Sequence, residues 1–271
     1  VSVFLFINGQ AVQPHQTSET LFDSRAWRYG DALFETMLLH KGTLLRAPLH
    51  AKRIAQGAKA LGMTPSALSA ATLLPASLYY NIDPTTTYRI RFTLVRAGGG
   101  LYLPQTAQTD TFISAAPYLH FSGYFIHYQG IKVVLYPIGC LVYTPWSAYK
   151  TANALPFVMA SQYAAQHHAD DALLCNTQGN WTCGTSSNLF VYVPSLGILT
   201  PPLSEGCVDG IVRRRLLQLL PVTEQPITSS ILAQAQAVWL TNTTKGIRWV
   251  HTIGEHIYTE PTFLESIIKE I

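Results

Sequence analysis

The chain has 271 residues, of which 48% are hydrophobic and 12% charged, and a formal net charge of +3. That length allows one large or two medium domains, and that balance is the reverse of what a disordered chain requires. So small a net charge argues against a nucleic-acid partner, and the one basic run, Arg213-Arg214-Arg215, reads as a solvated helix face.

Val3-Phe4-Leu5-Phe6-Ile7 followed by Asn8-Gly9 reads as a strand entering a tight turn, because Asn-Gly supplies the positive φ angles a hairpin wants. The apolar start, Val1 to Ile7, is too short for a signal peptide and has no basic segment before it. Ala32 to Leu39 is a second strand, turned by Lys41-Gly42-Thr43 into Leu44-Leu45. Pro48 to Leu61 reads as a helix with Ile54, Ala58 and Leu61 on one stripe and Gly62 as its stop. Tyr88 to Val95 alternates, so Tyr88, Ile90, Phe92 and Leu94 should face a core. Gly98-Gly99-Gly100 breaks that strand, and Thr111 to Ala115 is another. Periodicity lapses over 117–123, which suggests a linker between an N-terminal α/β domain at 1–116 and a C-terminal domain at 124–271.

The second half opens with a strand at Ile131 to Tyr136. A helix follows at Pro156 to His167, where proline suits the first turn. Strands at Asp171 to Asn176 and Asn188 to Val193 flank a loop containing Cys183. Asp209-Gly210 opens a helix through Leu220, Ala237 to Thr241 is a strand, and Phe263 to Glu270 is a final helix. The mixture is an α+β fold without internal repeats.

Cys140, Cys175, Cys183 and Cys207 form no C-x-x-C pair and no cluster with zinc-ligand spacing, so no metal is expected and free thiols in a reducing compartment are. No apolar run approaches the ~20 residues of a membrane helix. A cytoplasmic protein is the expectation.

Lys150 carries the chemistry. A lysine with an ordinary pKa near ~10.4 is a poor nucleophile at neutral pH, so a working amine must be desolvated or set beside another cation. Trp146, Ala148, Tyr149 and Ala152 make an apolar setting for it. On composition alone Lys150 is either such an amine or a surface lysine at a strand end. Downstream lies Gly179-Asn180-Trp181-Thr182-Cys183-Gly184-Thr185-Ser186-Ser187-Asn188, rich in small hydrogen-bonding residues.

Several segments, in order, resemble the class IV aminotransferases, fold type IV enzymes that use pyridoxal 5′-phosphate and include branched-chain and D-amino acid aminotransferases and aminodeoxychorismate lyase. They are Asp23 to Ala26, Tyr29 to Thr36, His50 to Arg53, Lys150 to Asn153, the loop to Phe190, Thr200 to Leu203, Gly210 to Arg213 and Leu240 to Thr243. The resemblance implies a two-domain D-amino acid aminotransferase-like fold with the cofactor in the interdomain cleft, and a homodimer acting on a small-molecule substrate. It makes Lys150 the Schiff-base lysine and proton shuttle, and Arg53 the phosphate-binding arginine, whose bland alternative is a solvated helical residue.

The same resemblance gives Ile211 and Val212 as phosphate-binding amides at a helix start, with Thr243 and Asn242 beside them and Ser186, Ser187 and Asn188 shaping the cofactor loop. Phe34 becomes an apolar wall and Arg96 a substrate-binding cation, with Arg89 and Arg91 on the same strand as helpers. Cys183 departs from the pattern: the family places a glutamate there, against the cofactor's pyridine nitrogen. Either the electron sink is weaker, or the protein binds cofactor with little activity, or another acid such as Glu35 or Asp171 substitutes. The implied activity is transamination of a branched-chain-like amino acid, with lyase chemistry on aminodeoxychorismate as the alternative.

Overall fold

The computed structural model describes residues 3–13, 23–119, 121, 129–139 and 141–268. Part of the linker (120, 122–123), Cys140 and Glu270 therefore lie outside the described residues. The chain divides into two compact units, Val1–Ser122 with Tyr149–Asn153, and Gly123–Ala148 with Ala154–Ile271. The reading of 124–271 as one block is thus interrupted: the short stretch carrying Lys150 packs with the first unit.

The first unit is built on an antiparallel sheet of six strands in the order β2-β1-β6-β5-β3-β4. These are β1 (Phe4–Ile7), β2 (Gln10–Val12), β3 (Ala32–His40), β4 (Thr43–Leu44), β5 (Tyr88–Arg96) and β6 (Thr109–Pro117). Asn8 and Gly9 join β1 to β2 with φ of 47° and 80°, as the dipeptide requires. On β5 the alternation holds, with Tyr88, Ile90, Phe92 and Leu94 buried and Arg89 and Arg91 exposed. Short helix α1 (Arg25–Tyr29) precedes β3, and α2 (Ala47–Ala60) lays Ala51, Ile54 and Ala58 into one core with Met37, Leu39 and Phe92. A third helix, α3, covers Ala76–Asn81.

The second unit contains β7 (Ile131–Leu135), β8 (Asp171–Cys175), β9 (Trp181–Gly184), β10 (Asn188–Val193), β11 (Gly197–Thr200), β12 (Val222–Glu224), β13 (Ala237–Asn242) and β14 (Gly246–Ile253). Their order is β12-β11-β10-β13-β14-β7-β8-β9, and β9 also pairs with β10 through Cys183 opposite Asn188. That pairing closes β10-β13-β14-β7-β8-β9 into a small barrel, which leaves those six strands no open edge. Leu173, Leu189, Val191, Leu240 and Val250 pack in its core. Helix α4 (Leu155–Gln166) and helix α5 (Ile211–Leu219) follow the expected segments closely, and α6 (Ser229–Gln234) adds a shorter one.

Three expectations are corrected. Cys183 lies on strand β9, at the barrel seam, not in a loop. Arg213 is buried, not solvated, because helical spacing puts it on the packed side with Val212 and Leu216; its guanidinium meets Glu224 and the Pro201 carbonyl. The final helix, in its described part, opens as a 3₁₀ turn at Thr262–Leu264 and not as an α-helix, while residues 269–270 of that expectation lie outside the described residues.

Candidate active site

In the first unit, β4 pairs with β3 only at Leu39 and His40, so the early part of that edge is left for other backbone. The Lys150 stretch takes it. Phe34 N donates to Lys150 O at 2.8 Å and Ala152 N donates to Ala32 O at 2.9 Å, with Thr151 opposite Leu33. This lays Lys150 Nζ 4.4 Å from the centre of the Phe34 ring, and Arg91 Cζ lies 3.9 Å from the same centre. Both cations meet the negative face of one aromatic ring.

Behind Phe34, on the core side of β3, Glu35 is buried and accepts from Arg53 Nε at 2.7 Å, Arg53 Nη2 at 2.5 Å and His50 Nδ1 at 2.7 Å. His50 and Arg53 sit three residues apart on α2, one turn of one face, which lets both reach a single carboxylate. Burial opposes charge on Glu35, but the Arg53 charge and the bonds from His50 and Arg53 outweigh it and hold its pKa at about 2. Burial also pushes His50 below its usual value, so the ring is neutral and donates from Nδ1.

Lys150 feels all of this. Burial first, then the Arg53 charge, lower its pKa to about 8; Glu35 opposes and Arg91 adds to the drop. The apolar setting and the cation that a working amine requires are therefore both present.

Arg96 does not serve as expected. Its Nε donates to Asp31 at 2.9 Å, Nη1 to Gly62 O at 2.9 Å and Nη2 to Leu61 O at 2.6 Å, which makes it a pin between β5 and the end of α2. Arg91, named only as a helper, is the β5 arginine that meets the Phe34 ring.

In the second unit, the turn between β9 and β10 carries Thr185, Ser186 and Ser187. Asp171 fixes it by accepting from Thr185 N at 2.9 Å and Thr185 Oγ1 at 2.6 Å, while its other oxygen accepts from Arg248 Nη2 at 2.5 Å. Asn242 Nδ2 reaches Ser186 O at 3.3 Å and its Oδ1 caps Lys245 N at 2.7 Å, so it shapes the β13–β14 turn that holds Thr243. Asn188 Nδ2 donates to Val208 O at 2.6 Å and braces the approach to α5. Gly210, the cap of α5, sits so close that a Cβ there would fall 1.9 Å from Asn188 Oδ1. Only glycine fits.

This group has the marks of an anion site. Helix α5 begins at Ile211 and Val212 with no side-chain cap for its first amides. Ser187 Oγ and Thr241 Oγ1 are buried without a hydrogen-bond partner among the described residues. A hidden hydroxyl left unpaired costs about 1–3 kcal/mol, and unpaired amides at a helix start favour phosphate. Thr241 faces Asn188 across the strand pair, and nothing in the sequence marked it beyond its place beside Asn242.

Cys183 lies among Leu174, Tyr136, Ala160 and Cys207. The two acids considered as substitutes are both committed, Glu35 to Arg53 and His50, and Asp171 to Arg248 and Thr185. Taken singly, the second unit offers groups suited to a phosphate and a thiol where an anion was expected, and the first offers an amine suited to an aldehyde. Among the described residues no cluster of His, Cys, Asp or Glu could hold a metal, and no helix is long and apolar enough to cross a membrane.

Comparison with known proteins agrees with this architecture. D-alanine aminotransferase from Bacillus licheniformis is 27% identical over 260 residues, covering 89% of this chain and 84% of that protein. A branched-chain aminotransferase from Thermoproteus uzoniensis, solved with norvaline, shares the fold with a TM-score of 0.81 at 20% identity, covering 98% of this chain and 92% of the other. The structure of a putative 4-amino-4-deoxychorismate lyase from Legionella pneumophila is 27% identical with a TM-score of 0.73, over 89% and 90% of the two chains. The model of the amino-transferase class IV family matches residues 32–253. With that match running from the Phe34 strand through the barrel, the chain is a member of the pyridoxal phosphate-dependent class IV aminotransferase family.

Proposed function

We propose that this protein moves an amino group from an amino acid to a 2-oxo acid, with pyridoxal 5′-phosphate held at its aldehyde end by Lys150. The observation that carries the reading is the Lys150 amine, set over Phe34 and beside Arg53 with its pKa lowered to about 8. An amine of that pKa is substantially neutral near pH 8, able both to attack a carbonyl and to give and take a proton.

When bound, the cofactor supplies a carbonyl carbon for the amine and a conjugated ring that accepts electrons. The chain's own residues do the rest. The α5 amides at Ile211 and Val212, the hydroxyls of Ser187, Thr241 and Thr243, and Arg53, oriented by Glu35, are the proposed phosphate ligands. Asn188, Asn242 and Ser186 shape that cup. Arg91, with Arg89 beside it, offers a cation for a substrate carboxylate, and Phe34 offers an apolar wall suited to a branched-chain-like side chain.

The second reading is elimination from aminodeoxychorismate, giving 4-aminobenzoate and pyruvate; the 27% identity to the Legionella protein supports it. Both readings need the same proton removal by Lys150. Cys183 weakens the ring as an electron sink, which favours slow turnover. A homodimer fits the exposed apolar residues Leu155, Val158 and Met159 on α4.

A panel of amino donors offered to the cofactor-loaded protein tests the proposal. Loss of the yellow absorbance with a branched-chain or D-amino acid, and appearance of the matching 2-oxo acid, is expected. Colour that persists with every donor, together with pyruvate from aminodeoxychorismate, selects the lyase. Persistence with no pyruvate rejects both.

A further inference from the structure

We propose that Asp31 is a positioning residue for Lys150: by joining Arg25 to Arg96 it fixes the start of β3, the edge on which the Lys150 stretch is laid. Asp31 Oδ2 accepts from Arg25 Nε at 2.8 Å and from Arg96 Nε at 2.9 Å. Arg25 is buried, and its Nη1 donates to Leu101 O at 2.7 Å and reaches the Gly99 and Gly100 carbonyls at 3.3 Å, while Nη2 reaches Tyr102 O at 3.2 Å. Arg96 ties the carbonyls of Leu61 and Gly62, just where α2 ends. One carboxylate therefore unites the loop after β5, the end of the helix that carries Arg53, and the first residues of β3.

The Lys150 stretch leans on the residues flanking Asp31. Ala32 O accepts from Ala152 N, Phe34 N donates to Lys150 O, and Asn153 Nδ2 reaches Gly30 O at 3.3 Å. Gly30 has φ of 66°, and a Cβ there would lie 2.6 Å from Asn153 Oδ1, so this approach depends on how the turn at Gly30-Asp31 is set. Asp31 also separates two buried guanidinium groups that would otherwise repel each other.

The charges facing the Lys150 amine are Arg53 from α2, Glu35 from β3 with His50 behind it, and Arg91 from β5 with Arg89 beside it. Their spacing and the exclusion of water hold the amine below its ordinary value. A slack β3 edge admits water and lets that value climb.

The inference goes beyond the proposed activity, because it concerns the amine itself with or without cofactor. Lys150 in the full chain is labelled by an amine reagent across pH without added cofactor and followed by peptide mass. Asp31→Asn should raise the labelling midpoint by about one pH unit with circular dichroism unchanged. Asp31→Glu should restore part of the shift. Arg96→Lys keeps a cation toward Asp31 but loses the fork to the two carbonyls, and should give a smaller rise. An unchanged midpoint in folded Asp31→Asn overturns the proposal; should that variant not fold, an unchanged midpoint in Arg96→Lys does so. A Lys150 that never takes up cofactor defeats the proposed function and leaves this readout intact.

Discussion

Lys150 Nζ lies 4.4 Å from the centre of the Phe34 ring, and the ring is held there because Phe34 N donates to the Lys150 carbonyl at 2.8 Å. The same two residues are thus coupled by backbone and by side chain. The ring favours the protonated amine, while burial, Arg53 and Arg91 disfavour it.

Removing the ring face should move that balance. Phe34→Leu keeps the wall apolar but deletes the π face, worth about 0.5–1 kcal/mol for a partly exposed cation. The Lys150 midpoint should then fall below about 8, read by pH-dependent amine labelling. A rise would mean that hydration, not the ring, governs the amine.

Glu35 sets the acid limit of the fold. Its pKa is lowered from 4.5 to about 2 in the folded protein, so the folded state binds its proton less readily than the unfolded chain. That contribution is full above pH 4.5 and disappears as pH falls toward 2. The shift corresponds to about 3 kcal/mol at neutral pH. His50, buried and lowered, adds a loss of stability that begins as pH drops below its ordinary 6.5. Glu35→Gln should lower neutral-pH stability by about 3–5 kcal/mol, since it removes the carboxylate charge that faces the buried Arg53 and His50. It should also flatten the dependence below pH 4.5, as followed by denaturant titration.

How much of this could be read beforehand depends on where the determining contacts lie. The Asn8-Gly9 hairpin, the alternating β5 and helices α2, α4 and α5 declare themselves through local spacing. Lys150 stood out by its apolar neighbours, and within the first unit Phe34 and Arg53 lie beside it. The return of Tyr149–Asn153 to the first unit was not legible, because it is set by backbone pairing with β3 over a hundred residues away. Arg96 was misjudged for a related reason: its partners are Asp31 and the end of α2, which no local pattern around Gly98 reveals. The barrel closure at Cys183 and Asn188 is likewise a pairing between strands, and the buried Thr241 hydroxyl becomes visible only once that pairing is known.

Gly210 offers a sharp test of the phosphate cup. Gly210→Ala places a methyl group 1.9 Å from Asn188 Oδ1, so Asn188 or the α5 start must shift. A stability loss of about 1–3 kcal/mol is expected from overpacking. Affinity for inorganic phosphate should fall as well. Unchanged phosphate affinity by calorimetry would remove α5 from the cup.

Cys183 is buried in an apolar cluster, where a carboxylate would lose its hydration. Cys183→Glu should therefore lower the melting temperature of the cofactor-free protein. Pyridoxal phosphate should recover more stability in this variant than in the wild type, because the ring nitrogen can be protonated against the new anion. Any transamination rate should rise. A rate that falls would assign the thiol a role of its own.

Reduction of the cofactor-loaded protein with borohydride, followed by peptide mass analysis, addresses the assignment of Lys150 most directly. The account predicts a single pyridoxyl phosphate adduct on the peptide containing Tyr149-Lys150-Thr151. An adduct on another lysine, or none at all in protein that binds the cofactor, contradicts it.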